Sequence, residues 1–226
     1  MKLSIILPIY NQQDHIETLV KMYSKLQKKV LGGVEILFIV NGSRDNSYKK
    51  LKEVSSHFVN IHVSTIVEGG WGRAVKYGLE KAKGEYLCYT NSARTDIFDI
   101  LTVYQSVLKH PDSVVKVNRH KRENMIRVFG SWIFNVENTL LHGFSFSDIN
   151  GTPKIFSKKT YRTVVTHSNG DLFDAEFLVY CKKNHIPIIN VPIVSKKRLG
   201  GASTTNISSA INLYIGAFLL RFKNHD

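Results

Sequence analysis

The sequence predicts an α/β fold with a mainly parallel sheet and helices on both faces. Two observations carry this expectation. Apolar runs alternate with helix-periodic segments through the first half, a β-α-β-α order. Three of the runs also end in polar loops that feed toward a helix, placing those loops on one edge of the sheet, where open α/β sheets bind their ligands.

Four strands are expected from LSIILP (3–8), VEILFIV (34–40), VNIHVST (59–65) and EYLCYT (85–90). Helices are expected between them over 14–30, 45–58 and 69–83, where apolar residues recur at helical spacing. A further helix, IFDILTVYQSVLKH (97–110), follows Asp96, which is placed to cap it.

The second half changes character. NRHKRENMIRVFGSWIFNVENTLLHG (118–143) begins with a basic cluster and continues as an amphipathic helix, with Val128, Trp132, Phe134, Val136 and Leu140 available for burial. Then come a loop, SDINGTPKIF (147–156), a helix around 173–183, a strand IPIINVPIV (186–194), the loop SKKRLGGAS (195–203) and an apolar terminal helix. No long linker divides the chain, so one domain, 1–226, is expected, with a nucleotide-binding half (1–118) and an acceptor-side half (119–226).

Composition narrows the function. The 226 residues are 43% hydrophobic and 22% charged, with five prolines, and they contain no internal repeat or low-complexity tract. The first residues read as a strand interrupted by Pro8, not as a secretion signal. The most apolar segment, INLYIGAFLL (211–220), is about half the ~20 residues needed to cross a bilayer. A cytoplasmic protein is therefore expected. Cys88 and Cys181 are far apart and read as reduced core residues. The net charge of +13 favours anionic partners: phosphates, nucleic acid or an acidic membrane surface. No nucleic-acid-binding pattern accompanies it, and no nucleic acid is expected. Neither a zinc motif nor a nucleophile motif is present.

The polar loops PIYNQQD (8–14), VNGSRDNS (40–47) and TNSARTD (90–96) supply Asn, Ser and backbone N–H groups where an anion can bind. Pro8, Tyr10, Asn11, Asn41, Ser43 and Asn91 converge on that edge as candidate nucleotide contacts.

Taken together, LSIILPIYNQQDHI, VNGSRDNS, GGWGRAVKYGLEKAKGEYL, DINGTPKIFSKKTY and FDAEFLVYCKKNHIPIINVPI...KRLGGAS resemble, in order and spacing, the family 2 glycosyltransferases of GT-A (Rossmann-like) fold. Within that family the pattern is similar to dolichyl-phosphate mannose synthase and bacterial polyprenyl-phosphate glycosyltransferases. The resemblance implies transfer from a nucleotide-sugar (UDP- or GDP-linked) to a polyprenyl phosphate or related acceptor. It implies that Arg127 and Ser131, one helical turn apart, hold a lipid phosphate, together with the late-loop Arg198; Arg122 and Lys154 complete the acceptor set. A glycan hydroxyl acceptor, or a nucleotide-binding module without turnover, are the alternatives.

The departures are as informative. The acidic pair expected in the second loop is Val40-Asn41, and the family's Asp-x-Asp triplet falls on Asn91-Ser92-Ala93. Mg²⁺ and Mn²⁺ are hard ions that bind through carboxylate oxygens, and Ala93 offers none. The departing diphosphate still needs cations. Arg94 stands beside the missing ligand and can donate a bidentate fork; Arg73, on the donor side, and Lys154 are further candidates. A lipid phosphate is already anionic near neutral pH and needs no base; a hydroxyl does, and Asp174 or Glu176 could provide it. The terminal helix, followed by Arg221 and Lys223, carries an apolar face suited to an anionic membrane surface, implying peripheral attachment on the inner face.

Overall fold

This computed structural model describes residues 1–120, 125–196, 198–200 and 213–219; the side chains of 125–129 and 131 fall outside the description. The strands are β1 (Leu3–Ile9), β2 (Val34–Asn41), β3 (Ile61–Ile66), β4 (Tyr86–Tyr89), β5 (Val114–His120), β6 (Lys154–Ser157) and β7 (Ile188–Val194). The helices are α1 (Ile16–Ser24), α2 (Ser47–Ser55), α3 (Trp71–Lys81), α4 (Ile97–Lys109), α5 (Met125–His142), α6 (Lys158–Thr163) and α7 (Phe173–Lys183).

All seven strands join one sheet in the order β3-β2-β1-β4-β6-β5-β7. The pairs β1–β2, β1–β4, β2–β3 and β5–β7 are parallel, while β6 runs antiparallel to both β4 and β5. The sheet is thus mainly parallel and has a core on each face. Leu3, Ile5, Leu7 and Ile9 of β1, with Val34, Ile36, Phe38 and Val40 of β2, pack toward α1, α2 and α4. Ile6, Leu37, Ile39 and Tyr89 point the other way, toward α3 and α7. This is the period-two alternation of a strand covered on both sides. At Gly78 the approach of α3 to the sheet is so close that a Cβ would lie 2.4 Å from the Ile6 side chain.

Three expectations for the second half are corrected. The basic cluster begins inside a strand that was not expected, β5 (Val114–His120), and the helix after it, α5, begins at Met125. The expected loop 147–156 contains most of β6, and α6 follows it directly. The apolar residues of α5 divide: Phe134 is 3% exposed, but Trp132 is 59% and Leu140 79% exposed, with Val136 also at the surface. Val128 lies outside the described side chains. The inner side of α5 is instead partly polar: Asn138 donates back to the Phe134 carbonyl within the helix, and Asn135 accepts the Ile149 N–H from the loop that follows. Elsewhere the shifts are at boundaries: β3 starts at Ile61, and the segment 14–30 is α1 flanked by 3-10 turns at Gln13–His15 and Lys25–Lys28. Among the described residues no helix is long and apolar enough to cross a membrane.

Candidate active site

The carboxyl ends of β1, β2 and β4 lie side by side, and their loops are laced together by side chains. Asn11 donates its backbone N–H to Ser43 Oγ (3.0 Å), and its Oδ1 accepts the Arg44 N–H (2.9 Å). Gln12 and Gln13 donate their backbone N–H groups to Ser47 Oγ (2.9 Å) and Asp45 Oδ2 (3.0 Å). Asn41, 5% exposed, donates Nδ2 to the Ile9 carbonyl (2.9 Å) and accepts the Gly70 N–H on Oδ1 (3.1 Å). One amide thereby ties β1, β2 and the entry to α3. Gly70 has φ 142°, a conformation only glycine adopts without strain, and a Cβ there would meet the Asn169 carbonyl at 2.5 Å.

The turn after β4 is closed on itself. Asn91 Oδ1 accepts the Ala93 N–H (3.1 Å), and the Asn91 carbonyl accepts the N–H groups of Arg94 and Thr95. Ser92 Oγ donates to Gln12 Oε1 (2.9 Å), an oxygen also in contact with His15 Nε2 (3.2 Å). Ala93 is completely buried, and its carbonyl accepts the Leu199 N–H (2.8 Å), so the 198–200 segment lies over the turn. Asp96 caps α4, accepting from the N–H groups of Phe98 and Asp99, and pairs with Lys196 (2.7 Å). Burial pushes the Asp96 pKa up, but Lys196 and the two N–H donors outweigh it and hold the carboxyl below its ordinary range.

This donor set does not suit Mg²⁺ or Mn²⁺. Asn91 spends its oxygen on Ala93, Ala93 has none to offer, and Asp96 and Asp99 share Lys196. No cluster of three or more His, Cys, Asp or Glu side chains able to hold a metal occurs among the described residues.

Beside the turn opens a cleft of about 240 Å³. Arg94, Arg119, Lys196 and Arg198 contribute its cations, Asp99, Asp171 and Asp174 its carboxylates, and Asn91, Trp71 and Leu213 other parts of its wall. Beneath it is a buried ionic cluster. Asp174 Oδ1 accepts from Lys154 Nζ and from Tyr89 OH (2.9 Å), and Oδ2 accepts from Trp71 Nε1 (2.8 Å). Lys154 is fully buried; desolvation pulls its pKa down, and Asp174 offsets this only in part. Lys116, its register partner across the β5–β6 ladder, donates to the carbonyls of Val117, Ser147 and Asp148. Desolvation, with the Lys154 charge adding to it, lowers the Lys116 pKa to about 7. Arg119 grips Asp148 through Nε and an Nη (2.9 and 2.7 Å).

Most of the residues expected to act are brought to this edge. Pro8, Tyr10, Asn11, Asn41, Ser43 and Asn91 share the ends of β1, β2 and β4, and Arg94, Asp174 and Arg198 line the cleft. Arg198 Nε donates to the Gly200 carbonyl (2.6 Å). Arg73 stands at the start of α3, with its guanidinium on Glu68. Lys154 lies under the cleft, against Asp174. Glu176 is buried and accepts the N–H groups of His167 and Ser168 on Oε2. Arg127 and Ser131 belong to α5, with side chains outside the described residues, and Arg122 lies outside them altogether. Sequence reasoning missed Arg119, Asp171 and Lys196. The first and last stand within runs of basic residues, where nothing in the sequence marks which cation turns inward.

A family profile described as "Glycosyl transferase family 2" matches residues 4–164. Among curated proteins, the undecaprenyl-phosphate 4-deoxy-4-formamido-L-arabinose transferase of Pseudomonas fluorescens (strain Pf0-1) is 23% identical over 222 residues, 93% of this chain and 62% of that protein. The dolichol-phosphate mannosyltransferase of Pyrococcus furiosus is 28% identical over 116 residues, covering 51% of this chain and 28% of that protein. The chain therefore spans less than two thirds of either relative. Among solved structures, glucosyl-3-phosphoglycerate synthase from Mycobacterium tuberculosis, in complex with Mn²⁺, UDP and phosphoglyceric acid, superposes with a TM-score of 0.75 at 16% identity over 100% of this chain and 80% of that one.

Proposed function

The chain belongs to glycosyl transferase family 2, and from that premise we propose that it moves a sugar from a UDP- or GDP-sugar to a polyprenyl phosphate or related lipid-linked phosphate, without a divalent metal. A phosphate oxygen of the acceptor attacks the anomeric carbon, the bond from that carbon to the diphosphate breaks on the opposite side, and the configuration inverts. Pro8, Tyr10, Asn11, Asn41, Ser43 and Asn91 hold the nucleotide, with Arg73 nearby. Arg94 meets the charge that grows on the leaving diphosphate, as a preorganised cation in a recessed site can. Arg122, Arg127, Ser131 and Arg198 hold the acceptor phosphate. Lys154 adds positive potential from below, and Asp174 fixes it there.

The observation that supports a phosphate acceptor most is the state of the buried carboxylates. Both Asp174 oxygens already accept hydrogen bonds, and one Glu176 oxygen serves two backbone N–H groups. A hydroxyl acceptor needs a base within reach; a phosphate, with a second pKa of about 6, does not. A lipid-linked acceptor places the enzyme on the inner face of a membrane.

One observation favours the second reading, a glycan hydroxyl. Asp171 lines the cleft, and desolvation together with neighbouring Asp174 pushes its pKa up. Turnover of UDP- and GDP-sugars with a short-chain polyprenyl phosphate, with and without EDTA, separates these readings. Activity that persists in EDTA, falls about 100-fold in Arg94→Ala and survives Asp171→Asn is the expected result. Loss of activity in Asp171→Asn, with transfer to a glycan, sustains the hydroxyl reading. Nucleotide binding without turnover on any donor and acceptor makes the protein a binding module.

A further inference from the structure

Helix α5 carries an apolar outer side in addition to the Phe134 and Leu141 it packs on the core. Among its described side chains, those classed as exposed are Trp132, Ile133, Val136 and Leu140, all apolar. Its polar residues are drawn inward. Asn138 is fully buried and donates to the Phe134 carbonyl (2.8 Å), while Asn135 Oδ1 accepts the Ile149 N–H (3.1 Å). Thr139 Oγ1 donates to the Asn135 carbonyl (2.8 Å). An ordinary surface helix of a water-soluble domain has the opposite arrangement.

The helical segment 213–219 extends this surface. Tyr214 OH donates to the Gly130 carbonyl (2.8 Å), and the Tyr214 ring meets Phe134 edge-on at 5.7 Å, which docks the segment on α5. Ala217 is buried, whereas Ile215, Phe218 and Leu219 are about half exposed. The segment begins at Leu213, which is part of the cleft wall. An apolar surface on two adjoining helices therefore starts where the cleft opens.

We propose that the outer face of α5, together with 213–219, is a membrane-docking surface that seats in the interfacial region of an anionic bilayer, with Trp132 entering the lipid. This rests on the lipid-linked acceptor proposed above and identifies the surface that brings such an acceptor to the cleft. Charge selects the bilayer as occupant. The chain carries +13, Lys121 and Arg122 come four and three residues before α5 in the sequence with Glu123 between, Arg127 stands in its first turn, and Arg221 and Lys223 follow 219. Apolar residues bordered by cations are what an anionic headgroup layer retains, and tryptophan is enriched at that depth.

The chain has only two tryptophans, and Trp71 is tied to Asp174 in the cleft, so Trp132 can be read directly. Sedimentation with phosphatidylglycerol-rich vesicles, compared with phosphatidylcholine vesicles, measures binding; vesicles with brominated acyl chains quench a tryptophan that enters them. Salt-sensitive binding to the anionic vesicles, quenching that Trp132→Phe abolishes, and an affinity loss of about tenfold or more in Ile133→Ser/Leu140→Ser support the proposal. Both substituted positions are exposed, so an unchanged melting temperature in that variant excludes unfolding as the cause. Absence of binding at low salt, binding without quenching, or a stable dimer dispersed by Leu140→Arg overturns it. These vesicles contain no polyprenyl phosphate, and transfer to the short-chain acceptor is assayed without vesicles. A failure here is thus distinct from a failure of the proposed reaction.

Discussion

The two sides of the sheet solve the problem of buried polarity in opposite ways. At the carboxyl ends of β1 and β2 the bonds run mainly through amides and hydroxyls. Asn11, Gln13, Asn41, Ser43 and Ser47 each complete a neighbour's backbone, and the one carboxylate among them, Asp45, accepts the Gln13 and Ser47 N–H groups. Across β4, β6 and β5 the bonds are ionic, with Asp174 on Lys154, Asp148 on Arg119, and Lys116 on three carbonyls. A neutral latch costs little to bury and holds loops in register. Opposed lysines on adjacent strands are unfavourable unless each has a partner. The ionic side therefore fails as a unit, whereas the neutral side loses one bond at a time.

Truncating the ionic side gives the largest expected effect. Asp174→Ala leaves Lys154 enclosed without the carboxylate that favours its charged form, and urea unfolding is expected to record a loss of about 3–5 kcal/mol. Asn41→Ala removes a donor from Ile9 and an acceptor from Gly70, for an expected loss of about 2 kcal/mol. Equal losses from these two variants would break the contrast.

A pH series sharpens it further. The Lys116 pKa is about 7 in the fold, against an ordinary 10.5. Between those values the unfolded chain holds the proton that the folded chain has released. The penalty is complete below about 7 and is relieved as pH climbs toward 10.5, so stability rises with pH by at most about 1.4 kcal/mol per unit. Lys116→Met should flatten that slope in unfolding curves across the window; an unaltered slope would assign the titration to other groups.

The same division explains what the sequence disclosed. β1, β2 and β4 are continuous apolar runs, and their loops carry the Asn and Ser residues that a turn needs, so these strands and the loops at their carboxyl ends were legible in the sequence. β5 and β6 were missed because each has a lysine where an apolar residue is expected. VVKV and KIF place Lys116 and Lys154 opposite one another; the Asp174 carboxylate lies 20 residues from Lys154, and the Asp148 carbonyl that receives Lys116 lies 32 residues on. No local pattern announces that a charge is to be buried when its neutralising group arrives from another element. In α5 the apolar spacing was recognised correctly as one helix, but periodicity cannot say which side of an amphipathic helix meets the core.

Ala93 closes its turn to any larger side chain. Its methyl group is wholly enclosed, its N–H is bound by Asn91 and its carbonyl by Leu199. A carboxylate placed there would arrive beneath a segment that has already closed over it. An acidic side chain at position 93 would therefore require the 198–200 segment to yield first.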